Sequence, residues 1–314
     1  MKAAIVQGAG QAPLYGDFDE PVAAAGECRI AVTASAVSHL AKNRAAGTHY
    51  SSSDRFPFVA GIDGTGRLDD GRRVYFVMPR APHGSMAEHT VAPAGNCIAL
   101  PDALDDVTAA AIANPGMSSW VALLERARLK AGETVLINGA TGTSGRLAVQ
   151  IARHLGAGKV IATGRRTEVL EMLGADATIP LVEDQEALAQ RLKPHFAQGV
   201  DVVLDYLWGD SAACLLRTAA KAGAEAVPIR FVQVGAMSGA EIALPAAVLR
   251  SSAITLMGSG IGSVPFERLV KCIGDLLQAA VPAGFRVAAM PVPLADFERA
   301  WAGDDSTRRT VFVV

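Results

Sequence analysis

The pattern of apolar and polar positions changes character about a third of the way along the chain. Over the first 113 residues the apolar positions come in short runs separated by Gly, Pro and Asp. ECRIAVTA (27–34) alternates, with Ile30 and Val32 on one face and Arg29, Ala31 and Thr33 on the other. RRVYFVM (72–78) and AEHTVAP (87–93) are further short candidates. Such runs bounded by turn formers predict β-strands, so this section reads as compact and all-β. In NPGMSSWVALLERARLKAG (114–132), Met117, Val121 and Leu124 recur at helical spacing. Asn114 is a candidate cap, with Pro115 at the first helical position, where its missing N–H costs nothing. From there strands and helices alternate. ETVLIN, KVIATG, DVVLDYL and RFVQVGA read as strands; GRLAVQIARHLG, TEVLEMLG and SAACLLRTAAKAG read as helices. Strands this apolar suit a parallel sheet covered by helices on both faces. A helix around FERLVKCIGDLLQAA and a last strand, RRTVFVV, follow; that strand is expected to return to the first section. The resulting division is 1–115, completed by 255–314, and 116–254.

Composition narrows the classes of function. In 314 residues, 50% are hydrophobic and 19% charged, with a formal net charge of −2, as in an ordinary folded protein with a large core. No basic stripe suggests a nucleic-acid partner. The four cysteines (Cys28, Cys97, Cys214, Cys272) are far apart and form no CxxC pair, so neither a zinc ribbon nor a disulfide framework is indicated. The N-terminus lacks the apolar region of a signal peptide, and no apolar run approaches the roughly 20 residues of a membrane span. The expected setting is cytoplasmic, with no membrane partner.

The chemistry concentrates in INGATGTSGRLAVQIARHLG (137–156). Ala140, Thr141, Gly142, Thr143, Ser144 and Gly145 form A-x-G-x-x-G after a strand and before a helix. Gly142 would let the backbone approach a pyrophosphate, Gly145 would let the helix pack closely on the strand, and the helix N-terminus would present N–H groups to the phosphates. The same sequence also serves as a tight strand–helix turn without a ligand. At the end of the next strand, where NAD enzymes commonly carry an acid for the ribose 2′-OH, the chain has Gly164, Arg165 and Arg166. Two guanidinium groups there favour a 2′-phosphate, hence NADPH; the alternative is a solvated pair at a helix start.

With these residues in place, the whole order resembles the medium-chain dehydrogenase/reductase superfamily, and the glycine turn is similar to that of its zinc-independent quinone oxidoreductase branch. LGADATI, GVDVVLDYLWG and VQVGAMSG follow in that family's order, and FPFVAGIDGTGRL and GSMAEHTVAPAGNCIALP resemble segments of its first domain. The resemblance implies an α/β fold: a GroES-like β-rich substrate domain plus a Rossmann domain with a doubly wound parallel sheet, and a cleft at their junction. It places Asp205, Gly235, Ala236, Gly258 and Ser259 at strand ends facing the cofactor, and Ser38 and Asp63 as polar lining of the substrate site. Tyr50 matches a loop position where relatives often carry an active-site Tyr, so it is either a donor to the acceptor oxygen or a loop Tyr. Where the alcohol dehydrogenase branch holds catalytic zinc, this chain has Ser38, Ile62 and Asn114, poor ligands all, so no metal is expected. The short-chain dehydrogenases share a GATGxxG turn, but their Tyr-x-x-x-Lys is absent here. The resemblance therefore implies hydride transfer from NADPH to a small electrophilic acceptor, a quinone or an α,β-unsaturated carbonyl. Its alternatives are a non-catalytic NADPH-binding structural or regulatory protein, or an enoyl-thioester reductase. It also implies a homodimer joined along the strand AITLMGSGIG (253–262).

Overall fold

The structure, a computed structural model, describes residues 1–48, 55–181, 184–303 and 308–314. The chain divides into two compact units, Met1–Asn114 with Ile273–Val314, and Pro115–Cys272.

The first unit contains β1 (Lys2–Val6), β2 (Leu14–Asp17), β3 (Glu27–Ala36), α1 (His39–Ala45), β4 (Phe58–Val59), β5 (Asp63–Leu68), β6 (Arg73–Val77), β7 (His89–Pro93) and β8 (Cys97–Ala99). The helix α2 (Asp106–Val121) follows. One sheet has the order β2-β1-β4; the larger one gathers β3, β5, β6, β7 and β8. The C-terminal β15 (Ala289–Pro293), α9 (Phe297–Ala302) and β16 (Arg309–Val313) complete this unit. The return expected of RRTVFVV is seen in β16, which pairs antiparallel with β3, Val311 opposite Ala36. Phe297 and Phe312, both fully buried, pack with Met86, Val6 and Val37 into its core. This section is not all-β: α1 interrupts it, capped by Ser38.

The second unit alternates strand and helix. Its elements are β9 (Thr134–Asn138), α3 (Thr143–His154), β10 (Lys159–Gly164), α4 (Thr167–Glu171), β11 (Ala177–Pro180), α5 (Gln185–Gln198), β12 (Val202–Asp205), α6 (Gly209–Ala222), β13 (Ile229–Gln233), α7 (Ala246–Arg250) and β14 (Ile254–Gly258). The helix α8 (Phe266–Ala283) comes next. Every strand pair is parallel, and the order is β11-β10-β9-β12-β13-β14. Counted within the unit this is 3-2-1-4-5-6, the doubly wound order of dinucleotide-binding domains. The strand order reverses between β9 and β12, and in such sheets the ligand crevice lies outside the carboxyl ends of those strands. Leu136, Ile161 and Phe231 of the sheet pack against Leu192 and Phe196 of α5 and Leu215 of α6, all nearly or fully buried.

Three boundaries differ from the sequence expectation. The helix placed at Asn114 starts eight residues earlier, at Asp106, where the Asp105 carboxylate accepts the Thr108 N–H at 2.8 Å. Ala109 to Ala113 are completely buried, so this stretch shows no polar face to betray a helix. Pro115 sits inside α2 rather than at its start, and the helix ends in a wide turn, Ala122–Arg126, closed by Ala127 N–H to Ala122 O at 2.8 Å. Second, α3 begins at Thr143, two residues before Gly145. Third, residues 255–272 belong with the parallel sheet, because β14 pairs along its length with β13; the return starts at Ile273, not 255. Among the described residues, 106–126 form one helical stretch long and apolar enough to cross a membrane, its apolar run interrupted by Thr108, Asn114, Ser118 and Ser119. Two thirds (67%) of its most apolar window is buried within the protein, as in a core helix.

Candidate cofactor site

The glycine turn sits at the carboxyl end of β9, on one side of the point where strand order reverses. Gly139 takes a left-handed φ of +91°, and its N–H and that of Ala140 donate to Thr163 O at 3.2 and 2.7 Å. A side chain at Gly145 would put its Cβ 2.3 Å from Gly139 O and 2.6 Å from Ala140 Cα, so only glycine lets α3 lie this close to the turn. Gly142 differs. It caps α3 with extended backbone, is exposed, and a Cβ there would meet nothing nearer than Gly139 O at 3.7 Å. No side chain caps α3, so the first-turn N–H groups of Thr143, Ser144 and Gly145 remain available to an anion. The free space at Gly142 and the bare helix end together fit a dinucleotide pyrophosphate.

Beside the turn is the end of β10. Gly164 lies directly against Thr141: a Cβ there would come within 2.4 Å of Thr141 Cγ2. Arg166 is half-buried and donates from Nη2 to Thr141 O; Arg165 is exposed. A third cation, absent from the sequence reading, joins them. Arg146 in the first turn of α3 donates from Nε to the same Thr141 carbonyl at 3.1 Å. Burial, and secondarily the positive charge of Arg166, lower its pKa below the usual arginine value. Two guanidinium groups converging on one neutral oxygen repel one another, and an anion placed between them would relieve that repulsion. The signal for Arg146 was its position immediately after the last glycine of the motif.

The structure reassigns three residues. Asp205, expected to face the cofactor, is fully buried and turned inward: Oδ1 accepts from Asn138 Nδ2 (2.8 Å), Leu207 N (3.0 Å) and Trp208 N (3.1 Å). Burial raises its pKa, opposed by those same donors. Ser38 spends its Oγ accepting the Ala41 N–H at 3.0 Å as the cap of α1. Asp63 is 1% exposed and accepts the Tyr75 hydroxyl at 2.6 Å, with burial raising its pKa. Both Ser38 and Asp63 are buried, at 5% and 1% exposure, so neither forms part of an open polar surface. Gly235 donates to Asp205 O at 3.1 Å, and Ala236 follows it. Gly258 ends β14, exposed with open space around its Cα; Ser259, nearly buried, donates to Gln233 O at 2.8 Å. Tyr50 lies outside the described residues.

Comparison with known proteins agrees with this geometry. Residues 145–278 match the zinc-binding dehydrogenase family. The "probable NADPH-dependent quinone reductase" of Emericella nidulans is 29% identical over 96% of each chain. The quinone oxidoreductase of Thermus thermophilus, whose structure report includes its complex with NADPH, superposes with a TM-score of 0.81 at 25% identity, covering 100% of both chains. The chain belongs to the medium-chain dehydrogenase/reductase superfamily, in its quinone oxidoreductase-like branch. A further relative, a mycocerosic acid synthase-like polyketide synthase of Mycobacterium tuberculosis, is 30% identical over 70% of this chain and 10% of that much longer protein. For a medium-chain dehydrogenase/reductase the metal positions are instructive. The zinc-binding family match begins at residue 145, beyond Ser38, Ile62 and Asn114. Ser38 caps a helix, Ile62 is buried, and Asn114 lies near the buried Asp63. Among the described residues no three His, Cys, Asp or Glu side chains come together as a metal site.

Proposed function

We propose that the protein is an NADPH-dependent oxidoreductase that reduces a quinone or an α,β-unsaturated carbonyl without catalytic zinc. The observation that carries this reading is the cluster at Thr141: Arg146 and Arg166 converge where an enzyme for NADH would place an acid. When bound, NADPH supplies the hydride. The chain's part is to hold and orient. The N–H groups at the start of α3 and the open face of Gly142 would seat the pyrophosphate, and the arginines the 2′-phosphate. Gly235, Ala236, Gly258 and Ser259 are the proposed backbone neighbours further along the sheet. The relatives above, named for quinone reduction, support the acceptor class. NADPH oxidation across a panel of quinones and enones tests it; tight NADPH binding with no turnover on any of them would favour the non-catalytic reading. The match to a stretch of a polyketide synthase favours one second reading, an enoyl thioester as acceptor. The β14 edge is the proposed dimer seam, since pairing there would cover an exposed strand edge.

Two expected results belong here. If the Tyr50 hydroxyl serves the acceptor oxygen, Tyr50→Phe lowers kcat by on the order of 10² while NADPH affinity changes little. An unchanged kcat would make it a loop residue. Elemental analysis of protein purified without a metal-affinity tag is expected to find far less than one zinc per chain, because Ser38, Ile62 and Asn114 offer no ligand set. Stoichiometric zinc whose chelation removes activity would contradict this.

A further inference from the structure

Within the first unit lies a cavity of about 310 Å³, at the lower end of the range for small-molecule sites. Its walls combine Phe56, Phe58, Ile62 and Pro79 with Arg44, Arg55 and His83, and among the described residues no Asp or Glu lines it. Arg44 is the informative residue. Two other partly buried guanidinium groups each meet a carboxylate: Arg73 has Asp106 at 2.6 Å and Arg230 has Glu133 at 2.7 Å. Arg44, half-buried at the end of α1, meets no carboxylate among the described residues; its Nη1 points at the Met78 thioether, 3.7 Å away. Sulfur is a weak acceptor, so among the described residues most of this five-donor fork is uncommitted. Burial pulls the Arg44 pKa down, yet arginine stays charged at neutral pH. His83 is lowered too, by burial and then by Arg80, so it contributes a neutral ring to the cavity rather than charge.

We infer that this cavity receives an acceptor with an anionic substituent, its flat apolar body on Phe56 and Phe58 and its carboxylate, sulfonate or phosphate on Arg44. The inference rests on the reductase reading and deepens it: the preferred acceptors are negatively charged, not neutral quinones. An aromatic wall with a guanidinium fork and, among the described residues, no opposing acid selects for such molecules by geometry and by sign.

The test separates binding from turnover. Calorimetric titration of the full chain compares 2-naphthoate with its neutral counterpart 2-naphthalenemethanol. The anion should bind at least about tenfold more tightly, and the preference should shrink with salt. Arg44→Gln should bring the two affinities to within about threefold, and Arg55→Gln, an independent variant of the same wall, should reduce the preference as well. Equal affinities in the unmodified protein, or a preference that survives both substitutions, would overturn the inference. In parallel, NADPH oxidation is followed with 1,4-naphthoquinone and its 2-sulfonate, and the ratio of their kcat/KM values is compared between the unmodified protein and Arg44→Gln. That comparison cancels the intrinsic difference in electrophilicity. An Arg44-dependent naphthoate preference with neither quinone reduced would sink the reductase reading and leave the anion cavity standing. Reduction of 1,4-naphthoquinone with no anion preference would sink the anion cavity alone.

Discussion

Gly145→Ala is expected to lower the melting temperature of the protein by roughly 2–12 °C and to weaken the cofactor by at least about tenfold. The new Cβ would stand 2.3 Å from Gly139 O and 2.6 Å from Ala140 Cα, and both atoms are backbone, which cannot rotate away. Either α3 lifts from the turn or the turn moves. Forcing a methyl group into packing this tight costs about 1–3 kcal/mol and occasionally more, and for a unit of this size each kcal/mol is about 2–4 °C. The displaced helix end also carries the amides proposed for the pyrophosphate. Gly142→Ala is the matched comparison. Its Cβ would meet only Gly139 O at an ordinary 3.7 Å, so the fold should keep its melting temperature while the methyl intrudes on the open face offered to the ligand. Thermal unfolding and fluorescence titration of both variants check the pair. A Gly145→Ala protein as stable as the original would show that the helix and turn are not locked together.

The second large effect concerns the two phosphate forms of the cofactor. Arg166→Ala should weaken NADPH by about ten- to a hundredfold and leave NADH nearly unchanged, since one charge-assisted hydrogen bond contributes about 1.5–3 kcal/mol. Arg146→Ala should act in the same direction. Arg165→Ala should matter least, because Arg165 is exposed while Arg146 and Arg166 are half-buried around Thr141 O. The selectivity should fall as salt rises, for the site is partly open to solvent. Dissociation constants for both cofactors in the three variants decide the matter. Equal affinity of the unmodified chain for NADPH and NADH would remove the arginines from cofactor selection, as would a variant that loses both alike.

What the sequence made legible follows from where its signals are local. The parallel sheet was readable because β9, β10, β12 and β13 are short apolar runs between turn residues, and the glycine motif marks itself. The helix α5 was missed, although Asp184 caps it at Glu186 and Ala187, because its buried residues, Leu188, Leu192 and Phe196, are few and widely set among charged ones. The true start of α2 was hidden by an alanine-rich, fully buried stretch and by a proline that suggested a beginning where the helix merely continues. Among the candidate residues, type and position were enough to put Gly145 in the turn and Arg166 beside it. For Asp205, Ser38 and Asp63 the residue types suit a polar site, but only the folded chain shows that all three are buried, with hydrogen bonds to neighbours within the protein. Type and position failed for Arg146, which reads as a surface helix residue until Thr141 O and Arg166 are seen beside it.

The inward-turned Asp205 has a consequence for the entropy of binding. Thr163 Oγ1 donates to Asn138 Oδ1 at 2.7 Å, and Asn138 Nδ2 donates to Asp205 Oδ1 at 2.8 Å, so side chains with no solvent exposure stitch the ends of β10, β9 and β12 together. These are the strands that flank the reversal of strand order, and their ends launch the glycine turn on one side and the Leu207–Trp208 turn on the other. A cradle fastened from beneath has few conformations to surrender when a ligand arrives. Most of the free energy of each contact is then retained as affinity, with little spent on ordering loops. Binding there carries the heat-capacity change of the surface it covers and none of the larger change that accompanies a segment folding around its ligand.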